Sequence, residues 1–256
     1  MLVLLSCAKM MTRASTVTPP FTSMPLFKEE ASAVAVQMAQ YSVADLELLL
    51  HVNAKIAVEN YKRYQSFHAD EKEGLAALLA YTGIVFKHLD PTDFTDEDFL
   101  YAQEHLRITS FCYGLLRPLD AIHSYRLEGH AKLAGFGGQT VFSFWQFRLT
   151  DVFIDIIKAN GGVLVYLASD EMRGLFNWSK ILKEVKVIVP EFHLWKNGKL
   201  STIVVYTKMA RGEMARFILK NRIEDLNELK SFSWEGFVYS DINSDGSKLV
   251  YVMGVK

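Results

Sequence analysis

The hydrophobic and polar positions along the chain predict strands interspersed with helices. Short apolar runs bounded by turn residues indicate buried strands, and apolar residues at helical spacing indicate amphipathic helices. The strand patterns cover 2–5, 163–168, 185–194, 201–207, 234–240 and 248–253. The helix patterns cover 27–40, 43–64, 71–81, 95–106, 140–159 and 208–220. The sequence contains no internal repeat and no linker, so one domain is expected over residues 1–256.

Capping and turn residues define several of the predicted boundaries. Ser42 stands before the second helix with Asp45 three residues later, which is typical of a capping box. Thr95 precedes three acidic residues that favour the positive end of a helix dipole, so the acidic run needs no metal to explain it. Residues 196–199 and 243–246 are turn-forming and predict two hairpins.

Composition narrows the class of protein. Hydrophobic residues make up 50% and charged residues 22% of the 256 positions, as expected for a globular chain. No apolar run approaches the ~18 residues of a membrane helix, and the opening MLVLL is too short for a signal-peptide core. Cys7 and Cys112 lack the spacing of a disulfide scaffold or a structural zinc site. A reducing cytoplasm is therefore the expected location, with no membrane as partner.

Charge and motif patterns exclude further classes. The net charge of −1 excludes a uniformly basic nucleic-acid-binding protein, although a basic cleft on a neutral body stays a hypothesis. Among the seven histidines, His123 and His130 form with Glu128 the only compact group of possible metal ligands, and a surface role explains them more simply. No P-loop and no dinucleotide-binding glycine motif is present. The residues thus imply neither a metal nor a cofactor.

The stretch from 107 to 128 is unusually polar for a chain of this hydrophobicity. Arg107, Arg117 and Arg126 lie about ten residues apart in it, and each permanently charged guanidinium must find a carboxylate, a carbonyl or an anionic ligand. Asp120 and Glu128 are available to pair with two of them. On residue types alone, a structural ion-pair network is favoured over a binding site.

Three predicted strands each end in a motif of small and charged residues. The motifs are Ser6, Ala8 and Lys9; Ser169 and Glu171; and Lys208, Arg211 and Gly212. In α/β sheets, ligands collect outside the carboxyl ends of parallel strands. If these three strands are parallel neighbours, the motifs meet at one edge of the sheet. Any one motif alone is explained equally well as ordinary polar residues at the end of a strand.

The third motif gives the strongest local indication of an anionic ligand. Lys208 and Arg211 are predicted at the start of a helix, where the dipole disfavours cations unless an anion is bound as well. A pairing of these cations with Glu171 is the competing explanation. Catalytic alternatives, with Lys9 as nucleophile or with Ser6 activated by Lys9, are chemically open, and residue types do not decide between them and anion binding.

Several motifs together resemble a known family. They are Ser6-x-Ala8-Lys9, Leu106-Arg107-x-x-Ser110-x-x-Tyr113-Gly114-x-x-Arg117-Pro118-Leu119-Asp120, Tyr125-Arg126-Leu127-Glu128, Phe144-Trp145, Ala168-Ser169-x-Glu171 and Lys208-x-Ala210-Arg211-Gly212. Their order and spacing are similar to those of the YaaA peroxide-stress protein family over essentially the whole chain. The sequence departs from the family pattern at Cys7, where proline is usual, at Ile84, where aspartate is expected, and near Phe147, where another aspartate is absent.

The resemblance implies a fold, a function and a location. The implied fold is a single mixed α/β domain with a mixed sheet flanked by helices, a positively charged cleft and a helix-hairpin-helix-like element. We expect that element around Tyr41 to Asp45, although its usual glycine-rich turn is missing. The implied function is a cytoplasmic role in the response to hydrogen peroxide, in which the protein binds double-stranded DNA and helps to limit free intracellular iron and Fenton damage.

Two hypotheses about the site follow. In the first, cations contact DNA phosphates, and further polar residues orient them. The proposed contacts are Lys9, Arg107, Arg117, Arg126, Lys208 and Arg211, and the supporting residues are Tyr113, Asp120, Glu128 and Ser169. In the second, the protein is an enzyme acting on a nucleic acid or a phosphorylated small molecule, with catalytic candidates Lys9, Glu171 and Ser6. Iron chelation by the protein itself ranks last, because no ligand set is present.

Overall fold

The computed structural model describes residues 1–68, 74–196 and 198–254 and has a mixed α/β architecture. The strands are β1 (Leu2–Leu5), β2 (Leu75–Ala76), β3 (Leu106–Ser110), β4 (Gly114–Leu116), β5 (Ala121–Ile122), β6 (Val163–Tyr166), β7 (Lys186–Lys196), β8 (Lys199–Ser201), β9 (Ser233–Trp234), β10 (Phe237–Ser240) and β11 (Lys248–Met253). The α-helices are α1 (Lys28–Ala39), α2 (Val43–Leu50), α3 (Ala54–Gln65), α4 (Ala77–Ala80), α5 (Ile84–Leu89), α6 (Asp96–His105), α7 (Val141–Ala159), α8 (Trp178–Glu184), α9 (Val204–Asn221) and α10 (Leu226–Leu229).

A mixed sheet forms the centre of the molecule. Its strand order is β4-β3-β1-β6-β7-β11-β10-β9, with β8 paired to β7. The inner strands β3, β1, β6, β7 and β11 run parallel, whereas the outer pairs β3–β4, β10–β11 and β9–β10 are antiparallel. All four residues of β1 are fully buried, as expected for an apolar run between two parallel neighbours. Helices flank the sheet: α6 packs on β1 and β3, α7 on β4 and β6, and α9 on β7.

Most of the boundaries predicted from the sequence are confirmed. Ser42 and Thr95 both begin helices through complete capping boxes, with Asp45 and Asp98 as the reciprocal partners. Helix α7 matches the pattern over 140–159, and the glycines after it have positive φ. The hairpins β7–β8 and β10–β11 lie where the turn residues indicate them.

Two helix predictions need correction. The pattern over 43–64 is not one helix, because His51 adopts a left-handed φ of 50° and ends α2, and the Asn53 side chain then caps α3. In the pattern over 71–81, residues 71–73 lie outside the described residues, 75–76 form strand β2, and only 77–80 are helical. The helical spacing of apolar residues continues in the sequence through both of these breaks in the helices, so the spacing alone does not reveal them.

The strand predicted over 201–207 is also wrong. Strand β8 ends at Ser201, and the apolar run from Val204 is the first turn of α9. Val204 is 66% exposed, so the run has no buried sheet face to occupy. Residues further along α9, Ala210 and Met214 among them, are fully buried, and this packing extends the helix backwards through β-branched residues.

Candidate functional site

A cleft of about 370 Å³ opens at the carboxyl ends of β1 and β6. These two strands are parallel neighbours, with Leu4 opposite Tyr166, so the segments that follow them leave the same edge of the sheet. The polar side chains that line the cleft are Ser6, Lys9, Arg126, Ser169, Glu171, Lys208 and Arg211. The structure thus brings all three small-and-charged motifs together, along with one arginine of the polar stretch over 107–128.

Hydrogen bonds between the first two motifs fix this edge. The Ser6 hydroxyl oxygen accepts from the backbone N–H of Ser169 at 2.8 Å, and the two hydroxyl oxygens lie 3.3 Å apart. The Tyr166 hydroxyl donates to the carbonyl oxygen of Ser169 at 2.6 Å. Ser6 is therefore engaged in joining two strand ends, which explains why a serine stands there without requiring it to be a nucleophile.

The third motif reaches the cleft from a helix instead of a strand. Helix α9 begins at Val204, so Lys208 and Arg211 lie more than one turn inside it, and the prediction that they stand at the helix start is wrong. The dipole argument for an anion loses its force there, because the dipole effect falls off within the first turn. The pairing of these cations with Glu171 is also not found among the described residues. The position of Arg211 in the helix therefore gives no argument for or against an anionic ligand.

Gly212 explains how α9 approaches the cleft closely. A Cβ atom at this position would lie 2.2 Å from the carbonyl oxygen of Val85 and 2.8 Å from the Cβ atom of His88, both in α5. Only a residue without a side chain permits this approach. Gly83, at the start of α5, makes a similar close contact with Ala8, where an added Cβ would lie 2.7 Å from the Ala8 Cβ. The small residues of the motifs thus bring the charged ones together.

Glu128 links two of the cations that line the cleft. Its carboxylate lies 2.9 Å from the Lys9 amino nitrogen and 3.3 Å from an Arg126 guanidinium nitrogen. Glu128, one of the two carboxylates available to the three arginines in the sequence, thus pairs with Arg126. Lys9 keeps a side-chain exposure of 59%, so it still faces solvent at the rim. One carboxylate between two cations leaves positive charge that an anion can neutralise.

Arg211 lines the cleft as a partly buried cation without a partner among the described residues. No hydrogen bond or ion pair joins its guanidinium to any described residue, and its Nε atom is buried without a partner. Burial lowers the pKa of Arg211, and the charges of Tyr166, Asp170 and Arg173 act on the guanidinium through space. An unsatisfied, partly buried charge is energetically costly, so the site favours an incoming acceptor.

Unsatisfied guanidinium atoms concentrate near this cleft. Among the described residues, the buried side-chain polar atoms without a partner are the Nε atoms of Arg126, Arg173 and Arg211. Two of these residues line the cleft, and Arg173 lies beside it, over the rings of Tyr166 and Trp178. Buried polar groups are normally satisfied, so these three Nε atoms leave hydrogen-bond donors free near one cleft.

Arg107 and Arg117 lie outside the lining of the cleft and are satisfied by the protein. The guanidinium of Arg107 donates to the carbonyl oxygens of Gln103 and Leu106, each at 2.8 Å, and burial lowers its pKa to about 10. Arg117 donates from Nε and Nη2 to one Asp120 oxygen at 3.1 and 2.9 Å. These contacts agree with the structural network that residue types alone favoured.

Asp120 and Tyr113 support the fold around the cleft. Asp120 is fully buried and also accepts from the backbone N–H of Arg117 at 2.8 Å and from the Ser23 hydroxyl at 2.7 Å. The hydroxyl oxygen of Tyr113 accepts from the backbone N–H of His123 at 3.0 Å. Asp120 ties the loop after β4 to the distant Ser23, whereas Tyr113 joins the residue before β4 to the segment after β5. Sequence reasoning did not resolve either contact.

Sequence reasoning missed the apolar floor of the cleft. Phe111, Leu167 and Met172 line it and are 4%, 1% and 3% exposed. Each of them resembles an ordinary core residue in the sequence, because nothing local distinguishes a side chain that faces a cleft from one that faces the interior. Their positions immediately after β3 and β6 and in the turn beyond are the only signal that was available.

Cys7 lies in the lining of the cleft without being activated. Burial raises the pKa of its thiol to about 12, and the carboxylates of Glu171 and Glu128 add to the effect. A protonated thiol is a weak nucleophile and reacts slowly with peroxide. The proximity of Lys9 in sequence therefore does not produce a reactive thiolate.

Metal-binding groups are not found in the part of the chain that the structure describes. No set of three or more His, Cys, Asp or Glu side chains there is arranged to hold an ion. The acidic run after Thr95 is explained by ion pairs, since Asp98 lies 2.8 Å from both Lys220 and Arg222. Within the same residues, no helix combines the length and the apolar character needed to cross a bilayer.

The fold and the cleft define a class: a mixed α/β protein with a cleft at the ends of its parallel strands, lined by lysine, arginine, serine and glutamate side chains among others. The sequence profile described as "Peroxide stress protein YaaA" matches residues 1–243. Relatives cover almost the whole chain. A "UPF0246 protein" of Bacteroides thetaiotaomicron is 64% identical over 255 residues, covering 100% of this chain and 99% of the relative. Another, of Porphyromonas gingivalis, is 43% identical over 255 residues, covering 99% and 100%. The chain belongs to the YaaA family of peroxide stress proteins.

Proposed function

We propose that this peroxide stress protein acts in the cytoplasm by binding double-stranded DNA through the cleft. The observation that carries the proposal is Arg211, a partly buried guanidinium that no described residue satisfies. Arginine presents a rigid donor fork that suits phosphate oxygens. Lys9, Arg126 and Lys208 line the same cleft, so one phosphate chain has several cations to follow.

The charge balance at the cleft supports a polyanionic ligand. Its lining contains four cationic side chains and one carboxylate, Glu171. The whole chain has a net charge of −1, so this local excess is not a property of the surface in general. Arg117 has a side-chain exposure of 39% and remains a candidate contact for DNA beyond the cleft. Arg107 contributes through the fold, because its donors already meet backbone carbonyls.

A salt titration tests the proposal. A labelled duplex is titrated with the protein at several salt concentrations, and fluorescence anisotropy gives the affinity. We expect a negative slope of log affinity against log salt, reduced by about 1–2 in the Lys9→Ala/Arg211→Ala variant because two phosphate contacts are lost. The Arg148→Ala/Lys158→Ala variant is the matched control, since it removes the same charge from α7 outside the cleft. Equal slopes in the two double variants would contradict the assignment of the cleft.

The role in iron homeostasis is proposed to follow from DNA binding and not from chelation. The described residues contain no cluster of side chains arranged to hold iron, so iron binding by the protein itself has no structural basis among them. The proposed helix-hairpin-helix-like element around Tyr41 to Asp45 would add contacts to the duplex. Electron paramagnetic resonance of free iron in peroxide-treated cells gives the test. Cells that carry the Lys9→Ala/Arg211→Ala variant should accumulate as much free iron as cells lacking the protein.

A second candidate function is an enzyme acting on a nucleic acid or a phosphorylated small molecule. The specific observation in its favour is that Lys9 and Glu171 line the same cleft, an amine and a carboxylate within one pocket. Lys9 would serve as nucleophile or proton carrier and Glu171 as general acid or base. Borohydride trapping of a covalent adduct on Lys9 would support this function. Undiminished turnover in the Lys9→Ala protein would remove it.

A further inference from the structure

We propose that the inner part of the cleft binds one nucleotide, with its phosphate at Arg126 and Arg211 and its base on the apolar floor. This inference rests on the proposed function only in taking nucleic acid as the class of ligand. It goes further because the cleft has two zones, a cationic rim and a buried apolar floor. A phosphate chain alone would contact only the rim.

The floor is the first observation that a phosphate chain does not explain. Phe111, Leu167 and Met172 present apolar surface to the cleft, and the Tyr125 ring borders it beside Arg126. Phosphate and sugar groups gain nothing from such a surface, whereas a flat base gains by stacking on it. The volume of about 370 Å³ falls in the range of ~300–1,000 Å³ that is usual for pockets holding one small ligand.

The position of the cations gives the second observation. Lys9 and Lys208 are exposed at the rim, where the backbone of an intact duplex can reach them. Arg211 is only partly exposed, and its Nε atom is buried, so its charge lies deeper. A base that is stacked inside a duplex cannot reach the floor beyond it, and a protein that contacts one base in this way must take it out of the stack or accept it unpaired.

Glu171 gives the third observation. No hydrogen bond or ion pair joins its carboxylate to any described residue, and Glu128 is the carboxylate that pairs with the cations. A carboxylate is an acceptor-only group with two oxygens, so it is complementary to N–H donors of a base. Guanine offers two adjacent N–H donors on its pairing edge, whereas thymine offers one N–H between two carbonyl oxygens that a carboxylate repels. Glu171 is exposed and so lies on the open side of the cleft, where it can meet the pairing edge of a base that stacks on the floor. The cleft should therefore prefer guanine to thymine.

Calorimetric titration of the full chain with free ligands tests the inference. The ligands are dGMP, dTMP and inorganic phosphate. We expect dGMP to bind at least tenfold more tightly than phosphate, because the floor adds to the phosphate contact, and several-fold more tightly than dTMP. Glu171→Gln should abolish the difference between dGMP and dTMP while leaving phosphate binding unchanged. Arg211→Lys should weaken all three ligands, and Arg148→Lys is the control for the same substitution outside the cleft.

A second arm distinguishes a free nucleotide from one within a strand. Two labelled duplexes of the same sequence are compared, one fully paired and one with a single bulged guanosine. Tighter binding of the bulged duplex, with competition by dGMP, would place the nucleotide within a strand. Binding of dGMP without a preference for the bulge would make the ligand a free nucleotide. Both results support the inference.

The outcome that overturns the inference is distinct from the failure of the proposed function. If dGMP binds no better than phosphate and Glu171→Gln changes nothing, the inner cleft does not hold a nucleotide. Duplex binding with a salt slope that depends on Arg211 would still sustain the proposed function in that case. If neither duplex binds but dGMP does, DNA binding fails and the single-nucleotide site stands.

Discussion

Both halves of α9 carry lysine and arginine side chains, but only the cations towards its end have hydrogen-bond or ion-pair partners among the described residues. Towards the end of the helix, Arg216 lies 2.5 Å from Asp93, and Lys220 and Arg222 each lie 2.8 Å from Asp98. Nearer its start, Lys208 and Arg211 have no hydrogen bond or ion pair to any described residue. Cations at the C-terminal end also benefit from the helix dipole, whereas those of the first half do not. The comparison teaches that pairing, not residue type, separates a structural cation from one that is available to a ligand.

The largest effect is expected at the satisfied half. Asp98 is 5% exposed and receives hydrogen bonds from two cations and from the backbone of Thr95. Asp98→Ala should lower the free energy of unfolding by about 2–4 kcal/mol, because it removes a buried acceptor shared by two cations and half of a capping box. Urea denaturation measures the loss. Under conditions where the variant is folded, it should bind duplex DNA with the affinity of the wild-type protein. Weaker binding by the folded variant would mean that the second half of α9 also contributes to DNA binding.

Gly212 tests whether the position of α9 couples the two halves. Gly212→Ala places a Cβ against the Val85 carbonyl oxygen, which must move. We expect a loss of about 1–3 kcal/mol in stability, together with weaker duplex binding because the first half of α9 shifts away from the cleft. Gly246→Ala is the matched control, since nothing lies within 4 Å of the added atom there. A Gly212→Ala protein that is as stable as this control would contradict the close approach.

The same substitution can be made at Arg211, in the first half of α9, and at Arg222, directly after its last residue. Arg211→Met should weaken duplex binding about tenfold, which corresponds to about 1.4 kcal/mol, while stability stays unchanged or rises slightly because an unsatisfied charge is removed. Arg222→Met should do the reverse, lowering stability by about 1–3 kcal/mol with no change in affinity. Thermal unfolding and anisotropy measured on both variants decide the matter. Destabilisation by Arg211→Met would mean that the protein itself satisfies this guanidinium.

Local patterns in the sequence predicted the parts of the fold that are decided locally. The capping boxes at Ser42 and Thr95, the strand β1 and the helix α7 depend on neighbours a few residues away, and all are confirmed. Asp120 and Glu128 were expected to pair with two of the three arginines, and they do pair with Arg117 and Arg126, each within three residues. Sequence spacing therefore carries real information wherever the partner is close in the chain.

What the sequence could not give depends on partners far away along the chain. Arg216 and Asp93 are 123 positions apart, so nothing local distinguishes this arginine from Arg211, which has no partner in the part of the chain that the structure describes. The start of α9 was missed for the same reason, because β-branched residues favour a strand until packing further along the helix overrides them. The residues of the three motifs were recognised and their convergence was expected, and a helix carrying the third motif was predicted from residue 208, but its start at Val204 was not.

The smallest expected effect is the pH dependence of the satisfied half. Burial acts to raise the pKa of Asp98, but hydrogen bonds from Lys220, Thr95 and Arg222 outweigh it and hold the pKa well below its usual range. A carboxylate whose folded pKa is depressed stabilises the fold above its unfolded pKa, near 4, and this stability is lost as the pH falls towards the folded pKa. Stability should therefore fall from pH 4 downwards in the wild-type protein and less steeply in Asp98→Asn. Arg211→Met should retain nearly the full acid dependence, because no carboxylate among the described residues is hydrogen-bonded to Arg211. Urea midpoints measured between pH 7 and pH 2 give the comparison, and an equal flattening in both variants would show that the two halves are not electrostatically distinct.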